Sequence, residues 1–194
     1  MDKITLISTF YSFEPFVVAA HKFAPTTIVL IVGEDSLRKI PDKIEKVKEV
    51  YAKVATIEIV PVDGGDLLCI TSKTIEIIEN NQNPIVNVTG GGKLLAQGVL
   101  YGCYARRNLI QKIVCNNIED SSIVELPKLD LGVSSIKKEV LKEIEQRNSR
   151  SILEIAKSLD KKREGIYQHL KELKEIGYVD EKFQITLAGR LALL

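Results

Sequence analysis

The chain of 194 residues is poor in the residues that build metal sites and disulfide frameworks. It has three cysteines, two histidines and no tryptophan. The cysteines, Cys69, Cys103 and Cys115, are isolated in apolar stretches, which predicts buried thiols in a reducing compartment rather than disulfides. Because neither His21 nor His169 lies near a cysteine in the sequence, we expect no zinc site and no other metal.

Long apolar runs are also absent. No segment approaches the length of a membrane span, and the first residues do not form a basic and apolar leader, so we expect a cytoplasmic protein with no membrane partner. Lysine and arginine together number 27, against 26 aspartates and glutamates. The net charge is −2 over residues 1–134 and +3 over residues 135–194, an asymmetry too small to indicate nucleic-acid binding by itself.

Residues 1–126 alternate between strand and helix patterns. Runs rich in β-branched residues predict six strands, at 3–8, 26–32, 56–62, 85–88, 109–115 and 122–126. Segments with helical spacing separate the first five of these runs. The alternation predicts an α/β fold, with a Rossmann-like, mostly parallel, doubly wound sheet in the strand order 3-2-1-4-5.

A glycine-rich turn follows the fourth predicted strand, where Asn87 begins the sequence Asn-Val-Thr-Gly-Gly-Gly-Lys. The N–H groups that open the next helix lack partners within the helix and lie at the positive end of its dipole, so the turn favours a phosphate. Lys93 adds a full charge. The turn is not a Walker A loop, because Leu94 follows the lysine, and Leu95 replaces the third glycine of the dinucleotide fingerprint. A tight turn without a ligand is the alternative.

Two segments that are distant in sequence converge in such a sheet. Ligands bind beyond the carboxyl ends of the strands where the winding reverses, here between the first and fourth strands. This places the end of the first strand beside the glycine-rich turn. The candidate ligand-binding residues are Ser8, Thr9, Phe10, Asn87, Thr89, Gly90, Gly91, Gly92 and Lys93.

Two further features of this half have structural interpretations. The loop 63–66 is interpreted as turn chemistry, with Asp66 near a helix N-cap. Ala96, Gly98 and Gly102 give the helix after the glycine-rich turn a face of small residues. We expect that face to approach the sheet or a partner subunit closely.

Residues 127–134 break the alternation and are interpreted as a linker to a second domain, 135–194. Short helices are predicted at 136–146, 151–159 and 163–176, then a hairpin at 178–185. Two helices joined by a tight turn and followed by a hairpin predict a small winged helix-turn-helix, whose second helix enters the DNA major groove. The candidate DNA-binding residues are Ser151, Lys161, Lys162, Arg163, Tyr167, Gln168, Lys171 and Lys182.

Other interpretations of this domain stay open. The basic helix face is also typical of a solvated surface, and some winged helices contact only proteins. Asp180 and Glu181 at the tip of the hairpin weaken it as a phosphate clamp. His169 lies one position from the apolar stripe of its helix, which favours packing or a phosphate contact over catalysis.

The whole chain resembles the CRISPR-associated Rossmann-fold (CARF) transcription regulators of the Csa type. The resemblance rests on the segment from Asn87 to Lys93, similar to the family motif Asn-x-Thr-Gly-Gly-Thr-Lys with Gly92 at the second threonine, and on the downstream winged helix. It implies a CARF domain at 1–126 that forms a homodimer, with a pocket across the two-fold axis. The implied ligand is a cyclic oligoadenylate, most often the tetramer, with Thr9 and Phe10 lining base or ribose and Thr89–Lys93 holding phosphate and ribose.

The implied function is a ligand-responsive transcription regulator that binds double-stranded DNA at a promoter or repeat-leader region of CRISPR loci. Some CARF proteins cleave the ring by attack of a ribose 2′-OH, with a lysine stabilising the charge. Lys93 with Ser8 or Thr9 is the corresponding set here, but no general base is evident, so we expect no enzyme activity and no cofactor. Two alternatives stay open: a ring nuclease, and a regulator that senses an ordinary mononucleotide.

Overall fold

The computed structural model divides into two compact units, Met1–Asp130 and Leu131–Leu194, which are treated separately below. The predicted linker spans this division, and its residues 130–132 lie outside the described part of the chain. The described residues are 3–117, 119–120, 122–129, 133–147 and 151–194.

The first unit is built on one six-stranded sheet, in the order β3-β2-β1-β4-β5-β6. The first five strands in this order run parallel, and β6 pairs antiparallel with β5. The sheet is therefore mostly parallel, and its first five strands have the predicted order. The strands are β1 (Thr5–Thr9), β2 (Thr27–Gly33), β3 (Thr56–Val62), β4 (Ile85–Asn87), β5 (Lys112–Asn116) and β6 (Ile123–Leu126).

Helices cover both faces of this sheet. The helices of the first unit are α1 (Phe13–Phe23), α2 (Glu34–Leu37), α3 (Pro41–Tyr51), α4 (Leu67–Glu79) and α5 (Lys93–Ala105). Alternate residues of a strand point to opposite faces, so Leu6 packs with residues of α1 and α3, and Ile7 packs with residues of α4 and α5. None of the helices in the described residues is both long and apolar enough to cross a membrane.

The small residues of α5 contact α4. A Cβ on Gly98 would lie 2.7 Å from Cβ of Ile70, and one on Gly102 would lie 2.7 Å from Cβ of Thr74. The Thr71 hydroxyl also donates to the carbonyl oxygen of Gly98 at 3.2 Å. The close approach expected for Gly98 and Gly102 is present, but its partner is α4 rather than the sheet or a second subunit.

The prediction of three buried thiols is confirmed for only one cysteine. Cys103 is buried, Cys115 is half-buried and Cys69 is exposed in the first turn of α4. Burial raises the pKa of the Cys103 thiol far above its ordinary value, so this thiol stays protonated. Among the described residues, no group of three or more His, Cys, Asp or Glu side chains is arranged to hold a metal ion.

The second unit has its own apolar core. Its helices are α6 (Ser135–Arg147), α7 (Ile152–Ser158), α8 (Arg163–Glu175) and α9 (Leu187–Leu193). Leu141 of α6, Ile155 of α7 and Leu170 of α8 are buried together in this core. Between α8 and α9 the chain reverses through an antiparallel bridge that pairs Val179 with Ile185.

Candidate functional site

The carboxyl ends of β1, β4 and β5 meet at one edge of the sheet, which we call the carboxyl edge: residues 8–11, 87–93 and 116. Ser8 pairs with Asn87 in the sheet register, and Asn87 pairs with Val114, so the segments that follow these strands leave the sheet side by side. The predicted convergence of the first and fourth strands is therefore present in the fold.

A chain of hydrogen bonds joins the three strands at this edge. The Asn87 amide Nδ2 donates to Ser8 Oγ at 3.2 Å, and Ser8 Oγ donates to the Thr9 carbonyl at 3.0 Å. In the other direction, Thr89 Oγ1 donates to Asn87 Oδ1 at 2.5 Å and accepts from the Asn116 N–H at 2.7 Å. Ser8, Thr9 and Asn87 are buried, so they form the polar support beneath the surface rather than the surface itself.

The glycine-rich turn packs directly on the end of β1. A Cβ on Gly90 would collide with the Thr9 carbonyl oxygen and lie 3.1 Å from the Phe10 Cα. Gly91 has a φ of +78°, a conformation that side chains disfavour. A Cβ on Gly92 would meet nothing within 4 Å, so this residue lies open to solvent. Two of the three glycines are required by the backbone, and the third leaves the turn accessible.

The N-terminus of α5 is accessible as well. Gly92 is the N-cap and has no side chain to occupy the N–H groups of the first turn, and that turn carries no acidic residue. Lys93 is exposed and, among the described residues, has no hydrogen-bond acceptor or carboxylate partner. Three N–H groups, the positive end of the dipole and one ammonium group therefore favour an anion at this position.

Phe10 does not belong to the accessible surface. Its side chain is 0% exposed and packs edge-on against Phe16, with ring centroids 5.7 Å apart. Its N–H donates to the Ile31 carbonyl at 3.0 Å, which continues the β1–β2 pairing one residue further. A ring enclosed in this way offers no face to a ligand, so the expected contact of Phe10 with base or ribose does not fit its packing.

Asn116 is a site residue that the sequence analysis missed. Its Nδ2 donates to the Pro15 carbonyl at 2.6 Å, and its Oδ1 is buried with no hydrogen-bond partner among the described residues. Asn116 directly follows the predicted strand 109–115, and a polar residue in this position is the signal that also marks Thr9 and Thr89. Asn116 therefore fixes Thr89 and the start of α1 in one arrangement.

The loop 63–66, which also contains glycines, has a structural role. Asp66 Oδ1 accepts the N–H groups of Leu68 at 2.9 Å and Cys69 at 3.1 Å, which confirms the predicted N-cap. Asp63 Oδ1 accepts the Gly65 N–H at 2.9 Å. Both carboxylates therefore accept backbone N–H groups, Asp63 within the loop and Asp66 at the start of α4.

The second unit contains the predicted basic surface. α7 and α8 are joined by the short connection 159–162, in which Asp160 has a φ of +50°. The predicted DNA-contacting side chains in this part are exposed, except for Ser151, which is half-buried at the N-cap of α7. The exposed ones are Lys161, Lys162, Arg163, Tyr167, Gln168, Lys171 and Lys182.

Three of the acidic groups near this surface, Asp180, Glu181 and Glu172, have partners in the fold. Asp180 Oδ1 accepts the N–H groups of Lys182 and Gln184, both at 2.8 Å, and Glu181 pairs with Lys174. On α8, a hydrogen bond from Gln168 and then one from Lys137 lower the pKa of Glu172. Asp180 therefore shapes the turn, Glu181 pairs with α8, and Lys182 is exposed beside them.

His169 lies beside this group of side chains. Its Nδ1 is 4.0 Å from the nearer Glu172 oxygen and has no hydrogen-bond partner among the described residues. The side chain is 30% exposed, between the apolar stripe and the basic surface. This placement agrees with both expected roles, packing and a phosphate contact.

No protein-family model matches the chain, and no curated protein matches it. Several solved structures share its fold. Csm6 from Enterococcus italicus, bound to cyclic hexa-2′-fluoro-hexa-dAMP, is 10% identical and matches 91% of this chain and 50% of that one, with a TM-score of 0.54. VC1899 from Vibrio cholerae is 13% identical and matches 98% of this chain and 64% of that one, with a TM-score of 0.52.

A third structure, Can2 from Sulfobacillus thermosulfidooxidans in complex with cyclic tetra-adenylate, is 15% identical. It matches 98% of this chain and 62% of that one, with a TM-score of 0.49. The chain thus spans between half and two thirds of the length of these three proteins. At such low identity, the likeness to Csm6 and VC1899 shows a shared mixed α/β fold with a mostly parallel sheet.

Proposed function

We propose that the protein is a ligand-responsive DNA-binding regulator with a CARF domain of the Csa type and a winged helix-turn-helix domain. The CARF domain binds a cyclic oligoadenylate in a homodimer, and the second domain binds double-stranded DNA of CRISPR loci. The observation that carries the proposal is the contact of Gly90 with the Thr9 carbonyl, because it joins the open anion-binding turn to the end of β1.

The chemistry of the carboxyl edge supports this ligand class. The α5 N-terminus and Lys93 supply donors for a phosphate, and the Thr89 hydroxyl, whose proton is donated to Asn87, keeps one lone pair that can accept from a ribose hydroxyl. In a two-fold dimer each subunit offers the same donors, which suits a ring whose phosphates repeat. Csm6, which shares the fold, is bound to a cyclic hexanucleotide, and this adds support for a cyclic oligonucleotide here.

The exposed face of α5 supports a homodimer. Leu94 and Tyr101 are both exposed and lie seven residues apart, on the same side of the helix. This apolar face adjoins the N-terminus that carries Lys93. Dimerisation through it brings two carboxyl edges together, which creates one site for one ring.

Removing the Lys93 charge tests the ligand site. In isothermal titration, Lys93→Ala is expected to weaken binding of cyclic tetra-adenylate by about 10- to 100-fold, because it deletes a charge-assisted contact with phosphate. The same titration with cyclic hexa-adenylate tests whether the site prefers the larger ring.

The matched control for this substitution is Lys53→Ala. Lys53 is exposed and lies between α3 and β3, at the opposite end of the sheet, so its loss removes the same charge away from the site. Equal weakening in both variants, or no binding of either ring by the wild type, would contradict the proposed site.

The proposed sensor binds the ring without cleaving it. Hydroxyl and amide groups and a single ammonium line the described part of the carboxyl edge, and none of them is a general base of ordinary strength. We expect one ring per dimer and no linear product from labelled cyclic tetra-adenylate after hours of incubation. Appearance of linear product would favour the ring nuclease, and two ligands per dimer would favour a mononucleotide sensor.

A further inference from the structure

Tyr11 occupies the exposed position that the sequence assigns to Phe10. Phe10 continues the pairing with β2 and is buried, so Tyr11 is the first residue of this segment beyond the sheet. Its side chain is 43% exposed. The first aromatic ring that the carboxyl edge presents to solvent after β1 is therefore a tyrosine.

Lys43 of α3 holds this tyrosine through two contacts. Lys43 Nζ donates to the Tyr11 carbonyl at 3.2 Å and lies 4.7 Å from the centroid of the Tyr11 ring. An ammonium above a ring face is attractive because of the quadrupole of the ring. With the backbone and one face of the ring both held, the phenol is kept in one orientation while its remaining surface stays exposed.

Tyr11 also lies near the glycine-rich turn. The Phe10 Cα would be 3.1 Å from a Cβ on Gly90, and Tyr11 is the next residue. Because consecutive Cα atoms are about 3.8 Å apart, the Tyr11 Cα lies within about 7 Å of that position. The Tyr11 backbone and the glycine-rich turn that leads into α5 therefore lie close together at the carboxyl edge.

We propose that Tyr11 is the base-stacking residue of the site and that Lys43 is its positioning residue. The proposal rests on the proposed function and names the part of the ligand, an adenine ring, that this side chain contacts. An exposed aromatic ring binds bases through their π faces, and a preoriented ring loses little freedom when it does so. The neighbouring Lys43 ammonium adds positive charge beside the path of the phosphates.

The experiment combines titration with intrinsic fluorescence, since the chain has six tyrosines and no tryptophan. With cyclic tetra-adenylate as the probe, Tyr11→Ala is expected to weaken binding roughly tenfold or more for each stacked base. Tyr11→Phe keeps the ring and should bind within about threefold of the wild type. Stacking quenches a tyrosine, so the wild type should lose emission on binding, and Tyr11→Phe should lose less.

Lys43 has a matched control on the same helix. Lys46 Nζ lies 4.3 Å from the centroid of Phe13, an equivalent pair one turn further along α3. Lys43→Ala should weaken binding several-fold, and Lys46→Ala should leave it unchanged. Circular dichroism of each variant reports whether it folds.

The outcomes separate this proposal from the proposed function. If the wild type binds the ring and Lys93→Ala weakens it, while folded Tyr11→Ala binds like the wild type, the stacking proposal alone is overturned. Failure of Tyr11→Phe to restore affinity also overturns it, because the ring would then not be the contacting group. If the wild type binds neither the tetramer nor the hexamer, both proposals fail together.

Discussion

Gly90→Ala is expected to destabilise the first unit by about 3 kcal/mol, the upper part of the range for inserting a methyl group where the backbone must move. The added Cβ would collide with the Thr9 carbonyl and lie 3.0 Å from the Thr9 carbonyl carbon. Both are backbone atoms fixed by the pairing of β1 with β2 and β4, so no side chain can rotate away. The variant is also expected to lose ligand binding, because relief of the collision separates the glycine-rich turn from β1.

Hydrogen exchange followed by mass spectrometry measures this effect unit by unit, which matters because two units need not unfold together. Peptides that contain β1 and β4 should lose protection in Gly90→Ala, and peptides from α8 should keep it. Gly92→Ala is the control, since its Cβ would meet nothing within 4 Å, and it should change stability by less than about 1 kcal/mol. Equal protection in the two variants would show that the contact with Thr9 does not constrain the turn.

The strand order was predictable because it depends on features that a sequence displays directly. Buried parallel strands are continuous apolar runs, and right-handed crossovers leave few arrangements for them. The position of Gly90 followed from the same logic, since a glycine run directly after such a strand marks a turn at the carboxyl end of the sheet. The Asp66 cap was predictable for a similar local reason: a carboxylate precedes an apolar helical pattern.

The exposure of individual side chains at the edge was less predictable. Period-two alternation from Leu6 places Phe10 on the α1 side of the sheet, but this holds only if the strand pairing extends to residue 10. That extension depends on the hydrogen bond to Ile31, which lies on another strand. Likewise, the apolar pattern of α3 continues through Val50 and Val54, yet the helix ends at Tyr51 and both valines are exposed.

The remaining differences between the sequence-based expectations and the structure concern contacts between residues that are distant in sequence. Gly98 and Gly102 indicate that another segment packs closely against α5. Only the tertiary structure shows that this segment is α4, through Ile70 and Thr74. Asn116 contacts Pro15, which is 101 residues away. Tyr11 and Lys43 are also brought together only by the packing of α3 beside the end of β1.

In the double variant Lys162→Ala/Arg163→Ala, the affinity for DNA is expected to fall by roughly 50-fold at about 0.1 M salt, because two phosphate contacts are lost. Lys162 is the N-cap of α8 and Arg163 its first residue, so both lie at the end of the helix that would enter the major groove. Fluorescence anisotropy with a mixed-sequence duplex about three helical turns long measures the affinity. Because each lost contact releases about one counterion fewer, the slope of log affinity against log salt should fall by about 2.

The slope of log affinity against log salt distinguishes direct phosphate contacts of α8 from a general attraction of DNA by the net charge of the protein. Lys138→Ala/Lys142→Ala removes two charges from α6 in the same unit and should leave the slope almost unchanged. If both double variants lower the slope equally, the protein attracts DNA only through its net charge, and the α8 interface is wrong. If neither variant changes affinity, the basic face is a solvated surface. A selective loss at α8 would instead establish α8 as the helix of the second unit that contacts DNA phosphates.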